Sequence, residues 1–179
     1  MASLRRLHLP VLIPGHIKRQ DGCWPPAVVT DAFPPTSAAE VLALCDGAWM
    51  SLRSQLQPAD SDEGWHTSEK GELKLSWTAS ENSDELGSLE ATPPSGASTV
   101  LTFLADGRLE GSGGQQGRWE LQVGSRLVLI HSDGERRIEE SISFTKPNLR
   151  LRNLLIWKGD QLQGSQFCSE IRRVSKPAS

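Results

Sequence analysis

Ser143-Phe-Thr-Lys-Pro-Asn-Leu-Arg-Leu-Arg-Asn-Leu-Leu-Ile-Trp157 reads as the end of one strand, a Lys-Pro-Asn turn and a second strand. Side chains on a strand alternate between two faces, so Arg150 and Arg152 leave the same face, with Asn148 beside them if the strand begins that early. Leu149 and Leu151 point the other way. Two guanidinium groups on one face can hold one or two carboxylates bidentately, which lysines would do less well. The pattern by itself leaves open whether that face looks into a pocket or out into water.

Working outward from this hairpin, strand signals follow one another with little helix between them. Glu72–Ala79 sets Leu73, Leu75, Trp77 and Ala79 against Glu72, Lys74, Ser76 and Thr78. Ser98–Leu104 and Gly107–Gly111 flank an Ala-Asp-Gly turn, and Gly117–Val123 and Arg126–His131 flank Gly124-Ser125. Ser132-Asp-Gly134 leads into Glu135–Phe144, and Lys158-Gly-Asp160 into a last strand over Leu162–Val174. Residues 80–97, acidic and rich in Ser, Pro and Gly, read as a long loop with at most one weak strand. Earlier in the chain, Ser37-Ala-Ala-Glu40 forms a capping box before Val41-Leu-Ala-Leu44, and this short helix stops near Gly47. From Trp49 the period becomes two. Tight turns and the lack of crossover helices make the sheet antiparallel, and eight to ten strands must curl into a barrel or split into a sandwich. The expected class is all-β: an up-and-down antiparallel barrel of lipocalin or fatty-acid-binding type with the helix over one end, a β-sandwich being the alternative.

The 179 residues suffice for one domain with a substantial core. Residues 1–36, with Pro25-Pro26, Pro34-Pro35, Pro10 and Pro14, read as a disordered or loosely draped extension, and residues 37–179 as the barrel domain. Hydrophobic content of 37% and charged content of 23% fit a soluble globular protein. No apolar run nears the ~20 residues of a spanning helix. Arg5-Arg6 and the apolar stretch after them lack a cleavage site, so no signal peptide is expected. Cys23, Cys45 and Cys168 show no CxxC spacing, which argues for a reducing cytoplasm and against a disulfide framework or zinc site. A net charge of −3 does not suggest nucleic acid as a partner. The charge is uneven: nine acids against two lysines over residues 58–90, and nine Lys/Arg against five acids over 135–179. That distribution suits an anion site near the C-terminus, or else an ordinary charged surface.

Nothing in the residues names a reaction. There is no Gly-rich phosphate loop, HExxH or GxSxG, and His8, His16, His66 and His131 are scattered. Cys168 alternates with Gln166 and Glu170, opposite to Phe167 and Ile171. It is a nucleophile, a transient carrier of a covalent adduct, or a partly buried thiol with no His beside it to activate it. Six Trp with no Tyr is an unusual aromatic choice; Trp77 and Trp119 belong to apolar faces, as core residues or as surfaces on which a flat conjugated ligand stacks.

Three segments resemble the S-type phycobiliprotein lyases, the CpcS/CpeS-like bilin lyases of cyanobacteria and related algae. Glu139-Glu140-Ser-Ile-Ser-Phe-Thr-Lys-Pro-Asn-Leu-Arg-Leu-Arg152 is similar to their Glu-Glu-Arg-Ile-Trp-Phe-Ala-Ser-Pro-Asn-Leu-Arg-Leu-Arg. Ser165-Gln-Phe-Cys-Ser-Glu-Ile-Arg172 is similar to their closing Ala-Ser-Phe-Cys-Ser-Glu-Ile-Arg, and Gly47-Ala-Trp-Met-Ser-Leu-Arg53 to their Gly-x-Trp-x-Ser-x-Arg first strand. The resemblance covers roughly residues 38–174. It implies a lipocalin-like barrel that takes a linear tetrapyrrole, phycocyanobilin or phycoerythrobilin, as substrate and attaches it by a thioether to a cysteine of a phycobiliprotein α or β subunit. It implies that Arg150 and Arg152 hold the propionates, that Glu140 meets the pyrrole nitrogens, that Trp77 is a pocket Trp, and that Arg53 and Asn148 complete the site. No catalytic residue is assigned within this chain, because the acceptor cysteine belongs to the partner. A homodimer is left open. The chain departs from the family in Ser54-Gln-Leu-Gln57, where histidines are frequent, in Ser143, where the family has Trp, and in the extension 1–36. A non-ligating bilin chaperone and a fatty-acid-type carrier on the same fold are the rival readings.

Overall fold

Strict alternation of side chains, tight turns and one short helix resolve into ten antiparallel strands in a computed structural model, which describes residues 33–56 and 65–174. Helix α1 (Ala38–Cys45) precedes β1 (Gly47–Leu56), β2 (Trp65–Ala79), β3 (Glu85–Thr92), β4 (Thr99–Leu104) and β5 (Arg108–Gly111). Then come β6 (Gln116–Gln122), β7 (Arg126–Asp133), β8 (Arg136–Lys146), β9 (Leu149–Lys158) and β10 (Gln161–Arg172). Each strand pairs with its sequence neighbour, and β1 pairs with both β2 and β10, so the sheet closes as the expected barrel and leaves no edge. No helix among the described residues is long and apolar enough to cross a membrane.

The structure corrects the sequence expectation at three places. Residues 85–92, expected within a loop, form β3, a full strand between β2 and β4. Its inward positions are Gly87, Leu89 and Ala91, too small an apolar set to stand out among acids and serines. Gly87 has a packing reason: at φ +143 its missing side chain lets Trp77 close over it, and a Cβ there would sit 2.9 Å from the Trp77 ring and 2.2 Å from Thr78 O. The strand expected at Glu72 begins at Trp65. The capping box is displaced by one residue: Ser37 Oγ accepts from Glu40 N at 3.2 Å, but the Glu40 carboxylate reaches past Ser37 to the backbone N–H of Thr36 at 2.6 Å. Those two Thr36 donors, the N–H and the hydroxyl, hold the Glu40 carboxyl below its usual range. Residues 1–32 of the expected extension lie outside the described residues. Its last part reaches the barrel, where Pro35 is buried and its carbonyl accepts from Ser125 Oγ.

Helix α1 closes the end of the barrel where β1 begins and β10 ends. Val41, Leu42 and Cys45 join Trp49, Leu75, Leu89, Phe103, Leu109, Leu127 and Leu129 in one buried cluster. Trp49 is sealed in: its Nε1 donates to Cys45 O at 2.8 Å, and Phe144 tilts against it with ring centroids 6.0 Å apart. Arg172 clamps this junction from β10. Its guanidinium lies over the Trp49 ring, 4.3 Å from the centroid, and donates to Leu44 O at 2.6 Å and to Asp46 O, the orphan carbonyls at the end of α1. Replacing Arg172 with Ala is expected to lower the unfolding free energy by about 2–4 kcal/mol, from two charged hydrogen bonds and one cation–π contact. Urea unfolding measures this, and an unchanged midpoint would show that α1 docks without the clamp.

Candidate functional site

The polarity of the barrel is inverted over three adjacent strands. On β1 the inward residues after Trp49 are Ser51, Arg53 and Gln55; on β10 they are Glu170, Cys168 and Gln166; on β9, Arg150 and Arg152. These stand in cross-strand rows, Ser51–Glu170–Arg150 and Arg53–Cys168–Arg152. The facing wall, from β2 round to β7, presents Leu73, Leu75, Leu89, Phe103, Leu109, Leu127 and Leu129. The interior is polar on one wall and apolar on the other. Charges turned into a barrel in this way cost desolvation, which needs pairing to offset it.

That pairing is present. Arg150 Nε meets Glu170 Oε2 at 2.5 Å, with the two side chains 3% and 0% exposed. The Arg150 guanidinium also lies 5.8 Å from the centre of the Trp49 ring, and its buried Nη1 has no hydrogen-bond partner. Glu170 takes two further neighbours on its other oxygen, Ser51 Oγ at 3.3 Å and Arg152 Nε at 3.6 Å. Arg152 in turn meets Glu140 Oε1 at 3.2 Å through Nη1, and Cys168 Sγ lies 3.6 Å from its Nη2. Burial works against the Arg152 charge, but Glu140 and Glu170 outweigh it and raise the guanidinium pKa above its ordinary value. Burial pushes the Cys45 thiol up, and the neighbouring Arg150 offsets only part of that, which favours the protonated thiol at this fully buried position.

A cavity of about 490 Å³ opens along this polar wall, away from the α1 end. Ser51, Arg53, Glu69, Gly71, Leu73 and Arg152 line it, with Pro93–Ser95 beside them. Its volume falls within the range of small-molecule pockets. Arg53 lies at the mouth in an ion pair with Glu69, the two side chains 41% and 58% exposed.

The six residues singled out from the sequence therefore separate. Arg152 and Arg53 share the cavity, and Glu140 holds Arg152. Arg150 faces inward as expected, but it is sealed beneath the cavity floor by Glu170 and Trp49. Trp77 is half-buried toward the α1 end, edge-on to Phe103 at 6.1 Å, with its backbone N–H held by Asp46 Oδ1 at 3.0 Å; it does not line the cavity. Asn148 is displaced from the site: β9 starts one residue later, so Asn148 sits exposed in the turn with its carbonyl taken by Arg172 N at 3.0 Å. Sequence reasoning did not single out Glu170, on which both arginines converge. Its signal was its place two residues after Cys168 on an inward face, inside Phe-Cys-Ser-Glu-Ile-Arg. Ser51, its hydroxyl partner, was legible only as an alternating residue.

Comparison with known proteins agrees with this architecture. The profile of the family described as CpeS-like protein matches residues 66–173. A chromophore lyase CpcS/CpeS 1 of Paulinella chromatophora is 39% identical over 150 residues, covering 83% of this chain and 95% of the relative. The solved structure of the S-type phycobiliprotein lyase CPES from Guillardia theta superposes with a TM-score of 0.63 at 23% identity, covering 79% of this chain and 95% of that one, and so shares the fold. With the family profile matched from β2 through β10, and a relative this similar over nearly its whole length, the chain belongs to the CpeS-like family.

Proposed function

We propose that the protein is a chromophore lyase. It takes a free linear tetrapyrrole, phycocyanobilin or phycoerythrobilin, holds it in one conformation in the barrel, and presents ring A to a cysteine of a phycobiliprotein subunit. The observation that carries this reading is Arg152: a permanent charge, 23% exposed at a cavity that Leu73, Pro93 and Pro94 also line, in a barrel whose facing wall is apolar. A bilin has two propionates on one edge and an extended apolar π-face, so it needs both walls. Arg152 and Arg53 are the two arginines that line the cavity and would take the propionates, each exchanging a protein carboxylate for a ligand one. Glu140, released by that exchange, would accept from the pyrrole N–H groups. Arg150 and Glu170 act beneath as positioning residues that fix where β9 places Arg152.

The chemistry asks little of this chain beyond orientation. The acceptor thiol adds across the exocyclic double bond of ring A: a C–S bond forms, the double bond becomes single, and the thiol proton ends on the neighbouring ring carbon, with no oxidant or reductant. Holding ring A still at the mouth converts an unselective addition into one with a defined face. The test is transfer to apo-phycobiliprotein subunits, read as a zinc-fluorescent covalent adduct after denaturation. The expected result is an adduct on the subunit that disappears when its acceptor cysteine is replaced by Ala. A coloured complex without an adduct would make the protein a bilin chaperone. Uptake of a fatty acid in preference to a bilin would make it a carrier.

A further inference from the structure

Among the described residues, four buried side-chain nitrogens have no hydrogen-bond partner: Arg150 Nη1, Arg152 Nε, Trp157 Nε1 and His131 Nδ1. The first two belong to the arginine pair already described. Trp157 alternates with the inward residues of β9 and so faces outward, where the Arg137 guanidinium lies over its ring. His131 is accounted for neither by the ion-pair network nor by the outer surface. On β7 it follows Leu127 and Leu129 in the inward series, so its half-buried imidazole enters the barrel from the apolar wall. Gly117 stands opposite on β6 and contributes no side chain to cover the ring; a Cβ there would sit 2.7 Å from His131 Cβ. A buried nitrogen without a partner has given up water and gained nothing back, which calls for a reason.

We infer that His131 is a positioning residue for the ligand, hydrogen-bonded to the lactam of a terminal pyrrole ring. This assignment rests on the bilin reading and extends it to the β7 wall. Register supplies the geometry. Arg152 on β9 lies opposite Ile142 on β8, and Glu140 is two residues from Ile142 toward the mouth. Glu140 lies opposite Leu129 on β7, and His131 is two residues from Leu129 in the same direction. Arg152, Glu140 and His131 thus follow one diagonal across three strands, each a strand over and a row nearer the mouth. Diagonal neighbours on one face stand about 7–8 Å apart, within reach of long and aromatic side chains. The first step of the diagonal is closed by the Arg152–Glu140 ion pair at 3.2 Å, whereas the second ends on the unpartnered His131 Nδ1. The polar groups of a linear tetrapyrrole come in the same order: the propionate carboxylate of an inner ring, a pyrrole N–H, then the lactam of a terminal ring. A lactam sets one N–H beside one C=O, and a neutral imidazole carries one donor and one acceptor, so either tautomer finds a match. Trp119, Leu127 and Leu129 next to it offer the ligand carbon, so His131 is where a polar end can be fixed on this wall.

Absorbance titration of the full chain with phycocyanobilin and with phycoerythrobilin, beside urea unfolding of the ligand-free protein, tests this. His131→Leu is expected to bind the bilin about 10-fold more weakly, the contribution of one hydrogen bond. The visible band of the bound chromophore should shift as well, because the terminal lactam belongs to the conjugated system. His131→Asn, which keeps a donor and an acceptor on a short side chain, should recover part of both the affinity and the band position. No hydrogen bond is lost at Nδ1 in the ligand-free chain, so His131→Leu should unfold at the wild-type midpoint or above it. Should the leucine variant not fold, His131→Phe carries the same comparison. Wild-type affinity and an unshifted band in His131→Leu overturn the inference. A weakened affinity that His131→Asn does not recover, accompanied by a lowered unfolding midpoint, overturns it too and makes His131 a packing residue of the wall. A wild type that takes up neither bilin removes this assignment together with the lyase reading, whereas unaltered uptake in His131→Leu removes this assignment alone.

Discussion

Glu170→Gln is expected to unfold at a much lower urea concentration than the wild type, with about 3–5 kcal/mol of stability removed. Glu170 is wholly buried and is the counter-charge of Arg150, whose side chain is 3% exposed. A glutamine of nearly the same shape keeps the packing and can still accept one hydrogen bond, but it leaves Arg150 charged in the core with Trp49 as its main compensation. A guanidinium is not deprotonated in proteins, so there is no cheap way to neutralise the charge left behind. Against a typical total of 5–15 kcal/mol, this one change reaches the scale of the fold itself. The double variant Arg150→Met, Glu170→Leu should recover most of the loss, because the pair replaced together by apolar side chains leaves no uncompensated charge and Arg152 keeps Glu140. Equilibrium unfolding of the three chains at equal m-values decides it. A single variant within about 1 kcal/mol of the wild type would show that water reaches Arg150 and that the pair is not sealed.

Most of the barrel was legible because its strands are amphipathic or bounded by turns that reverse the chain. Glu72–Ala79 and the Gly124-Ser125 hairpin are such cases: the first lies inside a strand that starts earlier, at Trp65, and the second reverses the chain as expected with Val123 joining the turn. What the sequence concealed is physically consistent. In β3 the inward series is Gly87, Leu89 and Ala91, where close approach of Trp77 demands a small residue and the usual hydrophobic signal is lost. In α1 the cap shifted by one residue because Thr36 offers two donors to the Glu40 carboxylate, and no periodicity reveals which donor is nearer in space.

The site was half legible for a related reason. Alternation alone made the Arg150/Arg152 face ambiguous, since the leucines between them argue equally well for the core side. Only closure of the barrel, with Cys168 and Glu170 of β10 across from the two arginines, fixes which face is inside. The two-residue spacing suggested equivalent clamps, but depth along the strand makes them different. Arg150 is nearer α1, where Trp49 and Glu170 enclose it, and Arg152 is one row nearer the mouth. The contact between Glu170 and both arginines joins residues 18 and 20 positions apart and depends on the β9–β10 register, which no local pattern encodes.

The same difference in depth sets the outcome of truncating each arginine. Arg152→Ala is expected to weaken bilin binding about 100-fold while the barrel stays folded, because a charged, two-pronged hydrogen bond to a propionate contributes up to about 3 kcal/mol. The neighbouring charges tolerate the change: Glu170 keeps Arg150, and Glu140, 12% exposed, gains solvent from the enlarged cavity. Arg152→Lys should retain part of the affinity, since an ammonium supplies the charge without the planar fork. Arg150→Ala should behave in the opposite way, lowering the unfolding midpoint by leaving Glu170 buried with only Ser51 and the more distant Arg152 to compensate it, while the folded fraction still takes up ligand. Absorbance titration with phycocyanobilin, run beside urea unfolding on each variant, separates the two arginines. Undiminished binding in Arg152→Ala would remove Arg152 from the ligand site. Equal loss of affinity in both variants with no loss of stability in Arg150→Ala would mean that the ligand reaches below the Arg152 row and displaces Glu170 from Arg150 when it binds.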